Sequence, residues 1–370
     1  MEPEHERGNA IVVGGSLAGL CCAIVLARAG TDVTVIERVD DVREGSGLGI
    51  DRAILARLSG ADTRTLPVVR GSRDSASWHL LRDWLFDVAR LQPRIAFVEA
   101  EVVEITETEG AARARLADGT VFEADALFGA DGYRSVTRAV VDPSRPYAEY
   151  AGYVMWRGLV EESALARGTP LPGNHLDLVS TDRWTLVGYA VPGADGSTAR
   201  GRRRISFAWY DAGADALFAR FGCIVEGTVR GTISTRRLPD EVLARLRADA
   251  RAWPTPWREA VVAATERRGI FATPIAEYAP DRLVRGRLAL IGDAAHVATP
   301  MTGAGLATTF DDLLALERLV EEAGLAGGRA PHVLAVYERE RLRPARALVE
   351  GGRRWGRRFV AQARSGGAPM

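Results

Sequence analysis

Residues 10–38, AIVVGGSLAGLCCAIVLARAGTDVTVIER, restrict the folds open to this chain more than any other stretch. An apolar run over 10–13 meets a turn of small residues, Gly14-Gly15-Ser16-Leu17-Ala18-Gly19. An apolar helix pattern then runs to Leu26, stops at Gly30 and gives way to Val33-Thr34-Val35-Ile36-Glu37. Strand, tight turn, helix, strand is a βαβ unit. Small residues let the backbone approach a pyrophosphate, the helix N-terminus offers unpaired N–H groups, and an acid closing the second strand accepts ribose hydroxyls. The reading is an adenine dinucleotide site formed by Gly14, Ser16, Leu17, Ala18, Gly19 and Glu37. Ser16 stands where a second glycine is usual; its side chain is small and adds a hydroxyl, so the turn is expected to tolerate it.

The chain has 370 residues, enough for about two domains and a large core. Its 48 acidic residues balance 48 basic ones, all of them arginine. No global field therefore points to nucleic acid or to an anionic membrane. In a lysine-free chain arginine clusters mean less than usual. The run Arg339, Arg341, Arg343, Arg353, Arg354, Arg357, Arg358, interleaved with Glu338, Glu340 and Glu350, reads as a solvated helix face. The polar, acidic N-terminus lacks a signal-type core, and no apolar run is long enough to span a bilayer. The cysteines, Cys21, Cys22 and Cys223, show neither a CxxC nor a metal spacing. These features lead to the expectation of a cytoplasmic protein, monomer or homodimer, with buried thiols and no metal.

Further along, the glycines of 45–51, GSGLGID, permit close backbone approach. A short helix is expected over 53–58, and an amphipathic one over 78–90, built on Trp78, Leu81, Leu85 and Val88 and capped by Ser77. Strands follow at 95–98 and 102–105, then a hairpin around Asp118-Gly119, then an apolar strand, 126–129, running into Ala130-Asp131-Gly132. From Tyr150 the texture changes: 153–160, 184–191 and 204–210 read as strands separated by turns. They predict a mainly antiparallel sheet and a second domain. Helices are expected over 238–250 and 257–265. A strand over 288–291 leads to Gly292-Asp293, a loop with Pro300, Gly303 and Gly305, a helix over 306–323 and a helical end over 331–363. Only the tail from Ser365 reads as disordered.

The second informative stretch is 288–316, LALIGDAAHVATPMTGAGLATTFDDLLAL. A buried strand delivers Asp293 at its carboxyl end, where ligands bind in open α/β sheets. The Gly303-Ala304-Gly305 turn then opens a helix whose N–H groups and dipole stabilise negative charge, such as that of a reduced isoalloxazine. Three signatures thus stand in order: GGSLAG with Glu37, GADGYRS at 129–135, and GDAAHxxxPxxGxG at 292–305. In them the chain resembles the FAD-dependent aromatic hydroxylases of the para-hydroxybenzoate hydroxylase type, the class A flavoprotein monooxygenases. The phrases YAGYVMWRGLV, VPGADGS, GRRRISFAWY and ASWHLLRDWL most resemble the 2,6-dihydroxypyridine 3-hydroxylase branch.

The resemblance implies an α/β fold: a Rossmann-like, GR2-type FAD-binding domain (1–45, 78–149 and 270–330), an inserted, mainly antiparallel β-sheet substrate domain (46–77 and 150–269) and a C-terminal helical segment (331–370). It implies Glu37 on the adenosine ribose, Arg38 by the adenine, Asp293 on the ribityl chain, Pro300 near the flavin ring, and the backbone of Gly303, Ala304, Gly305 and Leu306 at its pyrimidine edge. NAD(P)H, visiting transiently, would reduce FAD, which would capture O₂ as a C4a-hydroperoxide and hydroxylate an aromatic, heteroaromatic or enolic small molecule. Epoxidation or Baeyer–Villiger insertion is a neighbouring alternative, and an FAD-holding scaffold for a non-redox reaction a distant one.

Several positions depart from the family pattern. Trp78 replaces the arginine of the family's helix, with Arg82 one turn later as a substitute; Ala307 replaces an asparagine; and the segment between Gly49 and Trp78 is short and is expected to lack a strand pair. Activating a substrate hydroxyl needs a nearby base. Asp51 reads either as that base, in an apolar pocket, or as a helix cap before Ala53. Tyr189 and Tyr210 read as substrate hydrogen-bonding groups or as packing, and Arg157 as the partner of an anionic substrate or as structural. His296 reads as a loop-ordering residue, while His79 and His175 have no partner legible in the sequence.

Overall fold

The computed structural model describes residues 8–38 and 47–365. Its first half opens with β1 (Asn9–Val13), α1 (Leu17–Arg28) and β2 (Asp32–Glu37), the expected βαβ unit. Then come β3 (Gly47–Ile50), α2 (Arg52–Ser59), β4 (Asp74–Ser77), α3 (Trp78–Arg90) and β5 (Ile95–Glu99). A three-stranded meander, β6 (Val102–Glu107), β7 (Ala112–Leu116) and β8 (Val121–Ala124), leads to β9 (Ala126–Gly129) and α4 (Val136–Val141).

The second half carries β10 (Glu149–Glu161), β11 (Asp177–Ser180), β12 (Trp184–Val191), β13 (Arg204–Asp211), α5 (Asp215–Arg220), β14 (Ile224–Val225) and β15 (Thr228–Val229). Helices α6 (Asp240–Asp249) and α7 (Trp257–Glu266) precede β16 (Ile270–Glu277), β17 (Val284–Arg285) and β18 (Leu288–Leu290). Two helices end the chain: α8 (Gly305–Ala323) and α9 (Ala330–Ser365), the latter with Pro344 inside it.

Two sheets divide the work. The first has the order β17-β18-β9-β1-β2-β5, parallel except at β17. Its strands are short and apolar because both faces are covered, which is what a parallel sheet requires. Helix α1 is apolar on nearly every side, burying ten of its twelve residues. The second sheet, antiparallel, runs β11-β12-β13-β10-β15-β14 with β16 on β10. One of its faces packs Trp156, Trp209, Trp253 and Trp257 into a core with α6 and α7, while the other faces α9. The chain is thus an α/β protein with a Rossmann-like sheet, a mainly antiparallel second sheet and a C-terminal helical segment.

The structure differs from the sequence reading in four places. The segment between Gly49 and Trp78 does contain a strand pair: β3 and β4 are antiparallel, with Gly47 opposite Ser77 and Ile50 opposite Asp74. The polar, small residues of β4 carry no alternation that would mark a strand. That segment also joins the first core through Ile50, Leu55, Leu58 and Leu66. Strand β16 lies in the second sheet beside β10, so the return to the first sheet falls after Glu277 rather than at position 270. Ser77 holds the N-cap position of α3 without a side-chain cap; its hydroxyl meets His79 Nδ1 at 2.7 Å. Both histidines have partners, because His79 Nε2 also lies 3.2 Å from Arg204 Nη2 and His175 pairs with Asp177 at 3.0 Å. Of the expected tail, Ser365 ends α9, and 366–370 lie outside the described residues, as do 45 and 46 of the glycine loop.

Candidate active site

Four neighbouring strands, β18, β9, β1 and β2, bring their carboxyl ends together, and each ends in a feature singled out above. After β1, the Gly14–Gly19 turn is closed so tightly that a Cβ on Gly19 would collide with the Gly14 carbonyl oxygen. Ser16 begins α1 without a side-chain cap, leaving the hydroxyl and the first-turn N–H groups to serve a ligand. After β2, Glu37 Oε2 accepts the Gly15 N–H at 2.6 Å. After β18, Gly292 lies against α1, where a Cβ would come within 2.7 Å of Ala18 Cβ. The nucleotide turn and the GDAAH turn therefore share one wall. This cradle fits an FAD pyrophosphate: close-approach glycines, helix N–H groups and an acid at the neighbouring strand end.

After β9, the Asp131 carboxylate accepts from Ser135 Oγ and from the Val136 and Thr137 N–H groups, capping α4. That fixes Arg138, which is fully buried. Its guanidinium donates to the carbonyls of Tyr133, Ala294 and Asp293 at 2.8, 2.9 and 2.6 Å and lies 4.2 Å from the Tyr278 ring centroid. Arg138 thus ties the GADGYRS loop to the GDAAH turn. Asp293 is exposed, yet the surrounding protein desolvates its carboxyl and raises its pKa, with His296 and Arg138 pulling the other way. His296 is buried and sits 2.7 Å from Asp312 Oδ2, whose other oxygen accepts from Arg341 Nε at 2.6 Å. The loop-ordering histidine is therefore anchored to both α8 and α9.

Beyond Pro300 the turn ends at Gly303, and α8 starts at Gly305, so the N–H groups of Gly305 and Leu306 lack intrahelical acceptors. Thr299 Oγ1 accepts from Tyr153 OH at 2.6 Å, which ties this turn to β10 of the second sheet. On the same face of β10 lie Met155 and Arg157, at alternate positions, with Tyr210 opposite Met155 on β13. Tyr153, Tyr210, Trp355 and Phe359 form an aromatic cluster with centroids 5.1–6.1 Å apart, and Met301 packs on it. Tyr189, on β12, stands opposite Ser206 on β13, whose Oγ accepts the Gly47 N–H at 3.3 Å. Burial pushes the Tyr189 phenol up to about 12, against the opposing charges of Arg157 and Arg73. Tyr210 is raised as well, first by burial.

Asp51 stands apart from this face: its Oδ1 accepts from the Ala53 and Ile54 N–H groups at 2.9 and 3.1 Å, and its side chain is exposed. Of its two readings, the helix cap is the one its hydrogen bonds display. Arg38 is exposed at the end of β2. Arg82 pairs with Asp83 and lies over the Phe86 ring. Arg138, Tyr153 and Asp312 went unnoticed in the sequence, since each acquires its role from a partner more than a dozen residues away. Among the described residues no group of His, Cys, Asp and Glu is arranged to hold a metal, and no helix is long and apolar enough to cross a membrane.

The chain matches family models along most of its length. Residues 9–61 match the pyridine nucleotide-disulphide oxidoreductase family, 150–272 an FAD binding domain-like family, and 247–351 an FAD binding domain. It is 27% identical to 2,6-dihydroxypyridine 3-monooxygenase of Paenarthrobacter nicotinovorans over 84% of this chain and 82% of that protein. The solved structure of 2,6-dihydroxypyridine-3-hydroxylase from Arthrobacter nicotinovorans superposes with a TM-score of 0.77 at 25% identity, covering 98% of this chain and 94% of that one. In sequence and fold the chain is similar to the FAD-dependent aromatic hydroxylases. It is also 26% identical to the FAD-dependent urate hydroxylase of Klebsiella oxytoca, over 92% of this chain and 88% of that protein.

Proposed function

We propose that this hydroxylase uses NAD(P)H and O₂ to hydroxylate a small, electron-rich aromatic or heteroaromatic compound. The observation that carries the reading is the Tyr153–Thr299 hydrogen bond, which joins the cofactor turn to an aromatic face bearing Arg157, Tyr189 and Tyr210. FAD, when bound, accepts hydride from the nicotinamide and activates O₂ for transfer of one oxygen atom.

The chain's own residues bind, orient and shield. The Gly14–Gly19 turn and the first turn of α1 hold the pyrophosphate, Glu37 takes the ribose hydroxyls, Arg38 lies by the adenine, and Asp293 takes the ribityl hydroxyls. Pro300 and the backbone of Gly303, Ala304, Gly305 and Leu306 border the ring, and the dipole of α8 favours negative charge there. Arg157 stabilises a deprotonated substrate hydroxyl, while Tyr189, held protonated by burial, donates a hydrogen bond to it. Trp355 and Phe359 cover the face and exclude water. The resemblance to a dihydroxypyridine enzyme and a urate enzyme supports a planar, hydroxylated ring as substrate.

NADPH and NADH oxidation in air, measured with a panel of hydroxypyridines and phenols, tests this. The expected result is a yellow protein whose oxidation rate rises with one ligand class and whose product is heavier by one oxygen. A yellow protein that neither nicotinamide bleaches, with or without ligand, would overturn the reading.

A further inference from the structure

Arg73 sits in the turn just before β4. Its Nη1 donates to the Gly303 carbonyl at 3.1 Å and its Nη2 to the Gly49 carbonyl at 3.4 Å, so its guanidinium bridges two backbone segments 230 and 24 residues away. Gly303 closes the turn that opens α8; Gly49 lies on β3, whose pairing with β4 places Arg73 there. The same charge also reaches the Tyr189 phenol on the second sheet. Arg73 therefore stands at the junction of the cofactor turn and the substrate face.

Among the described residues no acid pairs with its charge. Neighbouring Asp74 pairs with Arg52, and among the described residues the hydrogen-bond partners of Arg73 are both carbonyls. Two sources of positive potential then converge: the guanidinium and the N-terminus of the nineteen-residue helix α8, which starts two residues beyond Gly303. A site with that field binds an anion more tightly than its neutral counterpart.

We propose that Arg73 is a cofactor-tuning residue, whose guanidinium stabilises the negative charge that FAD acquires on reduction and so raises the midpoint potential of the bound flavin. It supplies from the β3–β4 hairpin a cation that position 78, a tryptophan, does not. The inference rests on the proposed placement of the flavin's pyrimidine edge at 303–306.

The test is the midpoint potential of the holoenzyme, by equilibrium reduction with reference dyes, in wild type, Arg73→Gln and Arg73→Lys, with Arg258→Gln, a paired surface arginine on α7, as control. Glutamine keeps a donor for the Gly303 carbonyl while removing the charge. R73Q should lose about tenfold in affinity for reduced relative to oxidised FAD, a fall of about 30 mV for a two-electron couple; R73K should recover most of it, and R258Q should match wild type. If R73Q binds FAD weakly, the potential is taken at saturating FAD, and the same comparison decides. A potential unchanged in R73Q, or a fall that R73K does not reverse at all, overturns the proposal. A wild-type protein that retains no flavin and binds none on titration would instead fail the site reading beneath it.

Discussion

Gly15 donates its backbone N–H to Glu37 Oε2 at 2.6 Å, so the acid that ends β2 closes on the turn that ends β1. A charge-assisted bond of this kind fixes the carboxylate before a ligand arrives. Glu37→Gln keeps an acceptor of the same length but loses the charge, whereas Glu37→Ala loses both. FAD affinity, measured by flavin fluorescence quenching, is expected to fall about tenfold in E37Q and by more in E37A, an increment of about 1–3 kcal/mol for charged hydrogen bonds. Equal affinity in all three proteins would remove Glu37 from the cofactor site.

Arg138 should behave as a structural keystone. Replacing it with methionine leaves the carbonyls of Tyr133, Ala294 and Asp293 without their donor, and the expected loss is about 3–5 kcal/mol in urea unfolding of the apoprotein. Arg138→Lys should recover little, because a point charge cannot serve three carbonyls set around a planar fork.

Asp293 offers a stability measurement with a definite sign. Its carboxyl pKa is raised in the fold, so the stability linked to its protonation is present below the ordinary carboxylate range and is lost as pH rises through the raised value. Apoprotein Asp293→Asn should therefore melt above wild type at pH 7, and the gap should close towards pH 4. The same substitution should weaken FAD binding, trading function for stability.

Tyr189 should not produce a pH limb in the working range. With its phenol pushed up to about 12, it remains a donor through pH 10, and the stability tied to its protonated form is lost only as pH rises through that value. Tyr189→Phe should lower turnover with the preferred substrate about tenfold while leaving the kcat profile between pH 6 and 10 unchanged in shape. A shifted alkaline limb would show that the phenol ionises during turnover.

The thiols supply a simpler check on the fold. Cys21 and Cys22 are buried within α1, and burial alone pushes the Cys21 thiol up to about 12. Both should resist alkylation in the native protein at pH 8 and react only on unfolding, as measured by mass spectrometry.

The βαβ unit was legible in the sequence because each of its features is local: an apolar strand, a small-residue turn and an apolar helix within thirty residues. The succession of strands from β10 onward was legible for the same reason, as was the α8 start behind Gly303. What escaped is what depends on distant partners. Arg138 is one arginine among many and is distinguished only by carbonyls 155 and 156 residues away. His79 meets Arg204 across 125 residues. Strand β4, Asp-Ser-Ala-Ser, carries neither alternation nor β-branching and forms because β3 and the edge of β12 accept it, with Ser75 Oγ donating to the Ala190 carbonyl at 2.7 Å. Asp51 was balanced between a base and a cap, and only the two N–H groups above it separate those readings.

The central claim, that this chain transfers an oxygen atom from O₂ to an aromatic ring, is tested most directly by turnover of the holoenzyme under ¹⁸O₂ with the ligand that most stimulates NAD(P)H oxidation. The expected result is one labelled oxygen in the product, the other in water, and one nicotinamide consumed per product formed. Product that carries no label, or that forms equally well without oxygen, would contradict it.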